Sequence, residues 1–139
     1  MVSEFYARLN IIKILRESLL VHESLSNSVN NRISKHAEIV SFEQGAVSGA
    51  LLQNQICIVI SGKVEIEFEE GRKLTIHEHE HFGGLNLLKQ YRRNQHYIFK
   101  EKVTALSIPI DLIEDVPKLL WRLMEMDEKR HQLSIFEVN

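Results

Sequence analysis

The chain has 139 residues, which fits one domain and excludes a second domain of enzyme size. Its composition, 44% hydrophobic and 26% charged, is that of a globular protein, and the net charge of −2 argues against a nucleic-acid partner. No segment approaches the roughly 20 consecutive apolar residues of a membrane span, and the N-terminus lacks a secretory signal. The single cysteine, Cys57, lies in an apolar run and is predicted to be buried and unreactive. A cytoplasmic location is therefore expected, with no membrane contact.

The first predicted element is a helix from Glu4 to Val21, because apolar residues recur there at spacings of three and four. Its apolar residues cover more than one face, which favours a second contact, with a partner protein or another copy of the chain. Residues 1–24 are therefore predicted to be a helix that forms a homodimer or binds a partner. A domain over residues 25–139 follows, with a weak helical turn expected between Ser24 and Asn31.

After His36 the pattern changes to the alternation of polar and apolar residues that is typical of half-buried strands. It is clearest from Lys63 to Glu69, where the apolar residues are predicted to face the core and the glutamates solvent. A hairpin turn is predicted at Glu70-Gly71. About six to eight short strands at regular spacing predict an antiparallel barrel or a double-sheet roll of the jelly-roll type. The other strands are predicted at 38–42, 73–76, 95–99 and 103–108.

The helical period returns at Asp111, with Pro117 at a tolerated first-turn position. Trp121, Met124 and Met126 widen the apolar stripe and are predicted to pack in the core. The stripe itself consists of Ile113, Val116, Leu119, Leu120 and Leu123. The predicted fold is thus mainly β with flanking helices.

The most informative segment is Phe82-Gly83-Gly84-Leu85-Asn86-Leu87-Leu88, which is followed by Arg92-Arg93. Adjacent glycines allow backbone amides to approach an anion, and a downstream arginine can donate paired hydrogen bonds to phosphate oxygens. The segment is therefore a candidate phosphate-binding loop. Gly-Gly after an aromatic residue is also a common tight turn, and that alternative stays open.

Residues 58–66, the segment from Phe82 to Arg93, and residues 105–109 before the last helix resemble the cyclic-nucleotide-binding domain family. The resemblance extends from about Leu25 to about Lys129. It implies an eight-stranded β-roll with flanking helices, a non-enzymatic signalling role, and cAMP or cGMP as the ligand without a further cofactor. Arg93, with Arg92 as the neighbouring candidate, would pair with the cyclic phosphate. The last helix would serve as lid and output. The residues that match the family's cassette are Phe82, Gly83, Leu85 and Leu87.

The sequence departs from the family's cassette at three places. Gly84 replaces the glutamate that binds the ribose 2′-hydroxyl, Asn86 replaces a small alanine, and Asn94-Gln95 follow the arginine in place of small residues. Loss of a charged acceptor weakens binding by roughly ten- to a hundredfold. The alternative is therefore a degenerate roll that binds no nucleotide and is a scaffold for protein contacts. Because no helix-turn-helix follows, output is expected through a partner or a dimer.

A second motif, Gly71 followed by His77-Glu78-His79, resembles the opening of the cupin metal motif. On a strand, His77, His79 and His81 would share one face at a spacing suited to a divalent metal. The glutamate that this pattern requires falls among Gly83 to Leu85 instead. A metal-dependent cupin enzyme, with a double-stranded β-helix, is the third hypothesis. The alternative for these histidines is a solvated or pH-responsive cluster.

Overall fold

Two helices, seven strands and two further helices follow one another along the part of the chain that the structure, a computed structural model, describes. That part comprises residues 2–18, 26–45, 54–67, 71, 73–83 and 96–136. The elements are α1 (Val2–Glu17), α2 (Asn27–His36), β1 (Glu38–Phe42), β2 (Gln55–Ser61), β3 (Val64–Glu67), β4 (Lys73–Ile76), β5 (His81–Gly83), β6 (His96–Ile98), β7 (Val103–Pro109), α3 (Ile110–Glu114) and α4 (Pro117–Phe136).

The strands form two antiparallel sheets, one in the order β1-β7-β2-β5 and one in the order β4-β3-β6. The predicted roll with flanking helices is confirmed, but the described sheets are open and do not close into a barrel. The hairpin between β3 and β4 forms as predicted, with Glu67 opposite Lys73. Gly71 lies between these strands at φ +83°, a conformation that glycine adopts at little cost.

Two hydrophobic cores lie on opposite faces of the four-stranded sheet. The outer core joins the sheet to the helices, and the inner core lies inside the roll. Strands β2 and β7 contribute to both cores and are apolar on both faces. Their neighbours in the outer core include Leu15 of α1, Ile33 of α2, Ile113 of α3 and Leu123 of α4.

The N-terminal helices are positioned by this outer core. Ile11 and Leu15 of α1 are buried in it, and α1 ends at Glu17, short of the predicted end. Helix α2 is longer than the predicted turn, because Ser26 caps it by accepting a hydrogen bond from the Val29 amide at 3.3 Å and Ile33 is buried. The proposed division of the chain near residue 24 stays a prediction.

The predicted C-terminal helix is two helices, α3 and α4, because Pro117 has no amide proton and begins a new helix. Leu119 and Leu123 of α4 are buried, as predicted. Trp121 lies on the opposite face and its side chain is 72% exposed, so its predicted place in the core was wrong. Within the described residues no helix is both long enough and apolar enough to span a bilayer.

Cys57 on β2 is fully buried, as the sequence predicts. Burial raises the pKa of its thiol to about 12, and a hydrogen bond with Ser107 only partly offsets this. We expect iodoacetamide at neutral pH to leave native Cys57 unmodified and to alkylate it fully in guanidinium chloride, as measured by intact mass. Alkylation of the native protein at the rate of a free cysteine peptide would contradict the buried position.

Candidate functional site

The candidate phosphate-binding loop begins at the end of β5 and leads to β6. Phe82 and Gly83 are the last two residues of β5, and His96 is the first residue of β6. The structure therefore describes the strand residues at the two ends of this segment and the side chains that they contact. The predicted site residues that lie outside the described residues are Gly84, Leu85, Asn86, Arg92 and Arg93.

Phe82 anchors the start of the loop in the inner core, where its side chain is 1% exposed. Its ring packs against three aromatic neighbours, with centroid distances of 5.8 Å to Phe42, 5.6 Å to Tyr97 and 6.0 Å to Phe99. Phe42 and Phe99 stack on each other at 4.7 Å. Such edge-to-face and stacked pairs add to the stabilisation from burial. Phe82 thus anchors the end of β5 in the inner core.

Gly83 adopts φ +96°, a conformation in which a residue with a Cβ atom is strained. Its amide donates a hydrogen bond to the Tyr97 hydroxyl at 3.2 Å, and this bond joins the two strands that flank the loop. Burial raises the pKa of Tyr97 to about 12, so the phenol stays protonated at neutral pH. The Gly83 amide, predicted as part of the anion site, is thus already bonded. An anion that used it would have to displace the phenol.

His81, two residues before Gly83, connects β5 to α4. Its side chain is fully buried, and its Nε2 lies 3.3 Å from Asp127 Oδ1 and 3.4 Å from Arg130 Nη1. Arg130 Nη1 in turn lies 3.6 Å from Asp127 Oδ1. Three buried atoms of this cluster have no hydrogen-bond partner among the described residues: His81 Nδ1, Asp127 Oδ2 and Arg130 Nη2. The cluster places two opposite charges and an imidazole in a largely water-excluded contact.

The environment of His81 disfavours its protonated form. Burial, the largest cause, and the neighbouring Arg130 lower the pKa of His81 below its ordinary value of 6.5, while Asp127 opposes them. The imidazole is therefore neutral at neutral pH. Asp127 and Arg130 then balance each other's charge around it.

The three histidines of the cupin-like motif do not share a face. His77 and His79 are exposed in a turn, where His79 has φ +72°, and His81 is buried against α4. The turn is held by the Glu80 carboxylate, which accepts a hydrogen bond from the His77 amide at 2.8 Å. In the described ranges no three His, Cys, Asp or Glu side chains are grouped to hold a metal ion. The alternation along the sequence is broken by this turn.

The outer face of the three-stranded sheet carries paired charges. Glu65 on β3 lies 3.0 Å from the Lys100 ammonium and 3.5 Å from that of Lys73. The hydrogen bond from Lys100 is the largest cause that lowers the pKa of Glu65. A shallow cavity of about 310 Å³ beside it is lined by Lys63, His77 and Glu101 among others. The Glu65 side chain is only 13% exposed beside these lysines, so it is more covered than the prediction of a solvated strand face requires.

Sequence reasoning missed two residues of this region, Asp127 and Arg130. Asp127 and Arg130 lie three residues apart and continue the helix face of Leu119 and Leu123, so a helical projection of α4 would have placed both toward the sheet. No local signal pairs Tyr97 with Gly83, because 14 residues separate them.

Comparison with solved structures identifies this arrangement of sheets and helices. Over 98% of its length the chain is similar to the regulatory subunit of a cAMP-independent protein kinase A from Trypanosoma brucei, with a TM-score of 0.75 and 14% identity. Over 91% it is similar to the regulatory domain of Toxoplasma gondii PKA crystallised with cAMP, with a TM-score of 0.74 and 13% identity. Over 80% it is similar to a regulatory subunit of the cAMP-independent kinase from Trypanosoma cruzi bound to guanosine, with a TM-score of 0.66 and 18% identity.

The fold is therefore that of cyclic-nucleotide-binding regulatory domains, which confirms the resemblance seen in the sequence. The chain spans 50%, 51% and 41% of the three solved chains, so it corresponds to about half of each or less. No protein-family model matches the sequence, and neither does any curated protein. At these identities the similarity establishes the fold alone.

Proposed function

We propose that the chain is a non-enzymatic regulatory domain that binds a cyclic nucleotide, or another small anion, at the loop between β5 and β6. The observation that carries the proposal is the fold, and the candidate motif lies in the sequence between β5 and β6 of that fold. Phe82 and Gly83 begin that motif on a strand held by aromatic rings and by α4. Two of the similar structures hold cAMP or guanosine, which supports a nucleotide-type ligand by analogy.

In this proposal Arg93 donates paired hydrogen bonds to the phosphate, with Arg92 as the alternative donor, and backbone amides beyond Gly83 complete the anion site. Gly84, Leu85 and Asn86 shape the loop. The output passes through α4 to a protein partner or to a second copy of the chain, contacted through the helix in residues 1–24. A cytoplasmic location belongs to the same proposal.

Calorimetric titration with cAMP, cGMP and guanosine tests the proposal. We expect at least one cyclic nucleotide to bind saturably. Arg93→Ala should weaken that binding by about ten- to a hundredfold, because it removes a charge-assisted contact with the phosphate. Guanosine has no phosphate, so any affinity for guanosine should be the same in wild type and variant.

Two further variants make the titration specific. Arg92→Ala distinguishes which arginine faces the phosphate, since only one of the two substitutions should produce the large loss. Arg16→Ala removes the same charge from an exposed position on α1 and should leave the affinity unchanged. If folded wild-type protein gives no heat up to millimolar concentration with any of the three ligands or with inorganic phosphate, the proposal is wrong.

A degenerate roll that acts only as a protein scaffold is the second candidate. Two observations favour it: Gly84 lacks the carboxylate for a ribose hydroxyl, and the Gly83 amide is bonded to Tyr97. If a folded protein binds none of the ligands titrated above, the scaffold function is favoured.

A further inference from the structure

We propose that His81, Asp127 and Arg130 form a proton-sensitive contact, the β5–α4 contact, which holds α4 against β5 at neutral pH and releases it on acidification. Its effect on ligand binding rests on the function proposed above, whereas the contact itself can be tested without a ligand. The inference goes beyond the role of α4 as an output helix, because it names protonation of His81 as the event that releases this helix from β5.

The position of the contact makes it suited to control the loop. His81 is on the strand that enters the loop, and it pairs with Ile58, which belongs to the outer core beneath the helices. The first half of α4 is anchored in that core by Leu119 and Leu123. Asp127 and Arg130 continue the same face, so the second half of α4 meets β5 through charged groups. A change in their charge balance therefore acts on this half first.

His81 Nε2 can form only one of two hydrogen bonds at a time, with Asp127 or with Arg130. A protonated Nε2 donates to Asp127 Oδ1, whereas a bare Nε2 accepts from Arg130 Nη1, and both atoms lie within 3.4 Å of it. With a neutral imidazole the charges of Asp127 and Arg130 cancel. The neutral tautomer with its proton on Nε2 is favoured, because Asp127 accepts that proton, whereas an Nδ1–H has no acceptor among the described residues. A second proton then adds a net positive charge and this unpaired Nδ1–H. Protonation is therefore unfavourable while α4 is docked.

The other titratable groups around His81 do not supply an alternative switch near neutral pH. Tyr97 on β6 and Cys57 on β2 have pKa values raised to about 12 by burial and stay uncharged. Glu80, next to His81, favours the protonated imidazole only weakly, as the smallest of the opposing charges. His81 is thus the group among these whose charge changes as the solution becomes acidic.

The sign of the pH effect follows from the lowered pKa of His81. The released state, in which the imidazole meets water, titrates near the ordinary value of 6.5, and the docked state binds the proton less tightly. Docking is therefore strongest above about pH 6.5 and weakens as pH falls below it, by up to about tenfold in the docking equilibrium per pH unit.

Hydrogen exchange measured by mass spectrometry on the ligand-free chain tests the contact. After correction for the intrinsic pH dependence, peptides from the second half of α4 should exchange faster at about pH 5.5 than at about pH 7.5, by several-fold up to about tenfold. Peptides from β2 and β7 should not change. His81→Gln keeps a polar side chain but cannot titrate, and it should abolish the pH dependence.

A second variant keeps the inference falsifiable if His81→Gln does not fold. Arg130→Gln removes the cation that opposes protonation and leaves Asp127 to stabilise the imidazolium, so the pH dependence should shrink or reverse. A purely structural role of Arg130 would loosen α4 equally at both pH values. Lys129→Gln removes a charge from the exposed face of the same helix, and His77→Gln removes an exposed imidazole. Both controls should behave as wild type.

The outcomes separate this inference from the proposed function. Equal corrected exchange of wild-type α4 at both pH values, or an unchanged pH dependence in a folded His81→Gln variant, would overturn the inference. If a cyclic nucleotide binds, its affinity should fall on acidification in wild type and stay constant in His81→Gln. If α4 shows the pH-dependent exchange but neither a nucleotide nor inorganic phosphate binds, the proposed function is wrong and the contact is still supported.

Discussion

Replacement of Phe82 by alanine is expected to lower the free energy of unfolding by about 3–5 kcal/mol, the range for truncation of a fully buried phenylalanine. The loss combines the transfer of the ring from the core, the cavity left behind, and the missing contacts with Phe42, Tyr97 and Phe99. Equilibrium unfolding in urea, followed by circular dichroism, measures the change. Because Phe82 precedes the proposed anion site directly, a cyclic nucleotide that binds wild type should bind the variant more weakly.

Trp121→Ala is the matched control for Phe82→Ala. It removes a larger aromatic side chain, but one that is 72% exposed, and should change the free energy of unfolding by less than about 0.5 kcal/mol. A similar loss in both variants would show that Trp121 is buried after all. A loss below about 1 kcal/mol for Phe82→Ala would contradict the aromatic cluster.

Gly84→Glu is expected to strengthen cAMP binding by roughly ten- to a hundredfold. The substitution restores the carboxylate that the cyclic-nucleotide-binding family uses to accept a hydrogen bond from the ribose 2′-hydroxyl, and a bond to a charged acceptor contributes about 1.5–3 kcal/mol. Titration calorimetry of wild type and variant measures the gain.

Two controls test whether the gain comes from this hydrogen bond. Gly84→Gln adds a neutral side chain of the same size and should give a smaller gain. With 2′-deoxy-cAMP, which lacks the hydroxyl, Gly84→Glu should give no gain. Equal affinities of wild type and Gly84→Glu for cAMP would mean that the loop does not hold the ribose as it does in the family.

The strands were predictable because their sequence carries a two-residue period. Val64 and Ile66 are buried and Glu65 and Glu67 are partly exposed, as alternation requires. Gly71 marked the hairpin because a turn of this kind needs a positive φ. These signals are local, and they do not contain the order in which the strands pair within the two sheets.

The helices were harder to predict in detail. The Ser- and Asn-rich sequence of α2 disfavours a helix locally, but the Ser26 cap and the burial of Ile33 overcome this. Trp121 was misplaced because hydrophobicity alone suggested burial, whereas its angle around α4 directs it away from Leu119 and Leu123. Tertiary packing therefore determined both the extent of α2 and the exposure of Trp121.

The sequence located the candidate loop, but it did not identify the residues that contact the strand leading into it. The pairing of Gly83 with Tyr97, and of His81 with Asp127 and Arg130, joins residues that are 14 to 49 positions apart. His81 would share a face with His77 and His79 only if one strand ran through all three residues, and a turn at 78–79 interrupts it. The positive φ at His79, in that turn, has no clear signature in a histidine.

The position of β2 and β7 between two cores means that polarity cannot fix how these strands pair, since a shift by one residue would still bury apolar side chains. Side-chain volume can fix this pairing. The outward positions carry the large residues Ile56, Ile58, Leu106 and Ile108, and the inward positions carry the smaller Cys57, Val59, Val103 and Ala105. Large aromatic rings, including Phe82 and Phe99, fill the space that these small residues leave. A one-residue slip would overfill the roll and leave the helices underpacked, so residue size specifies the register.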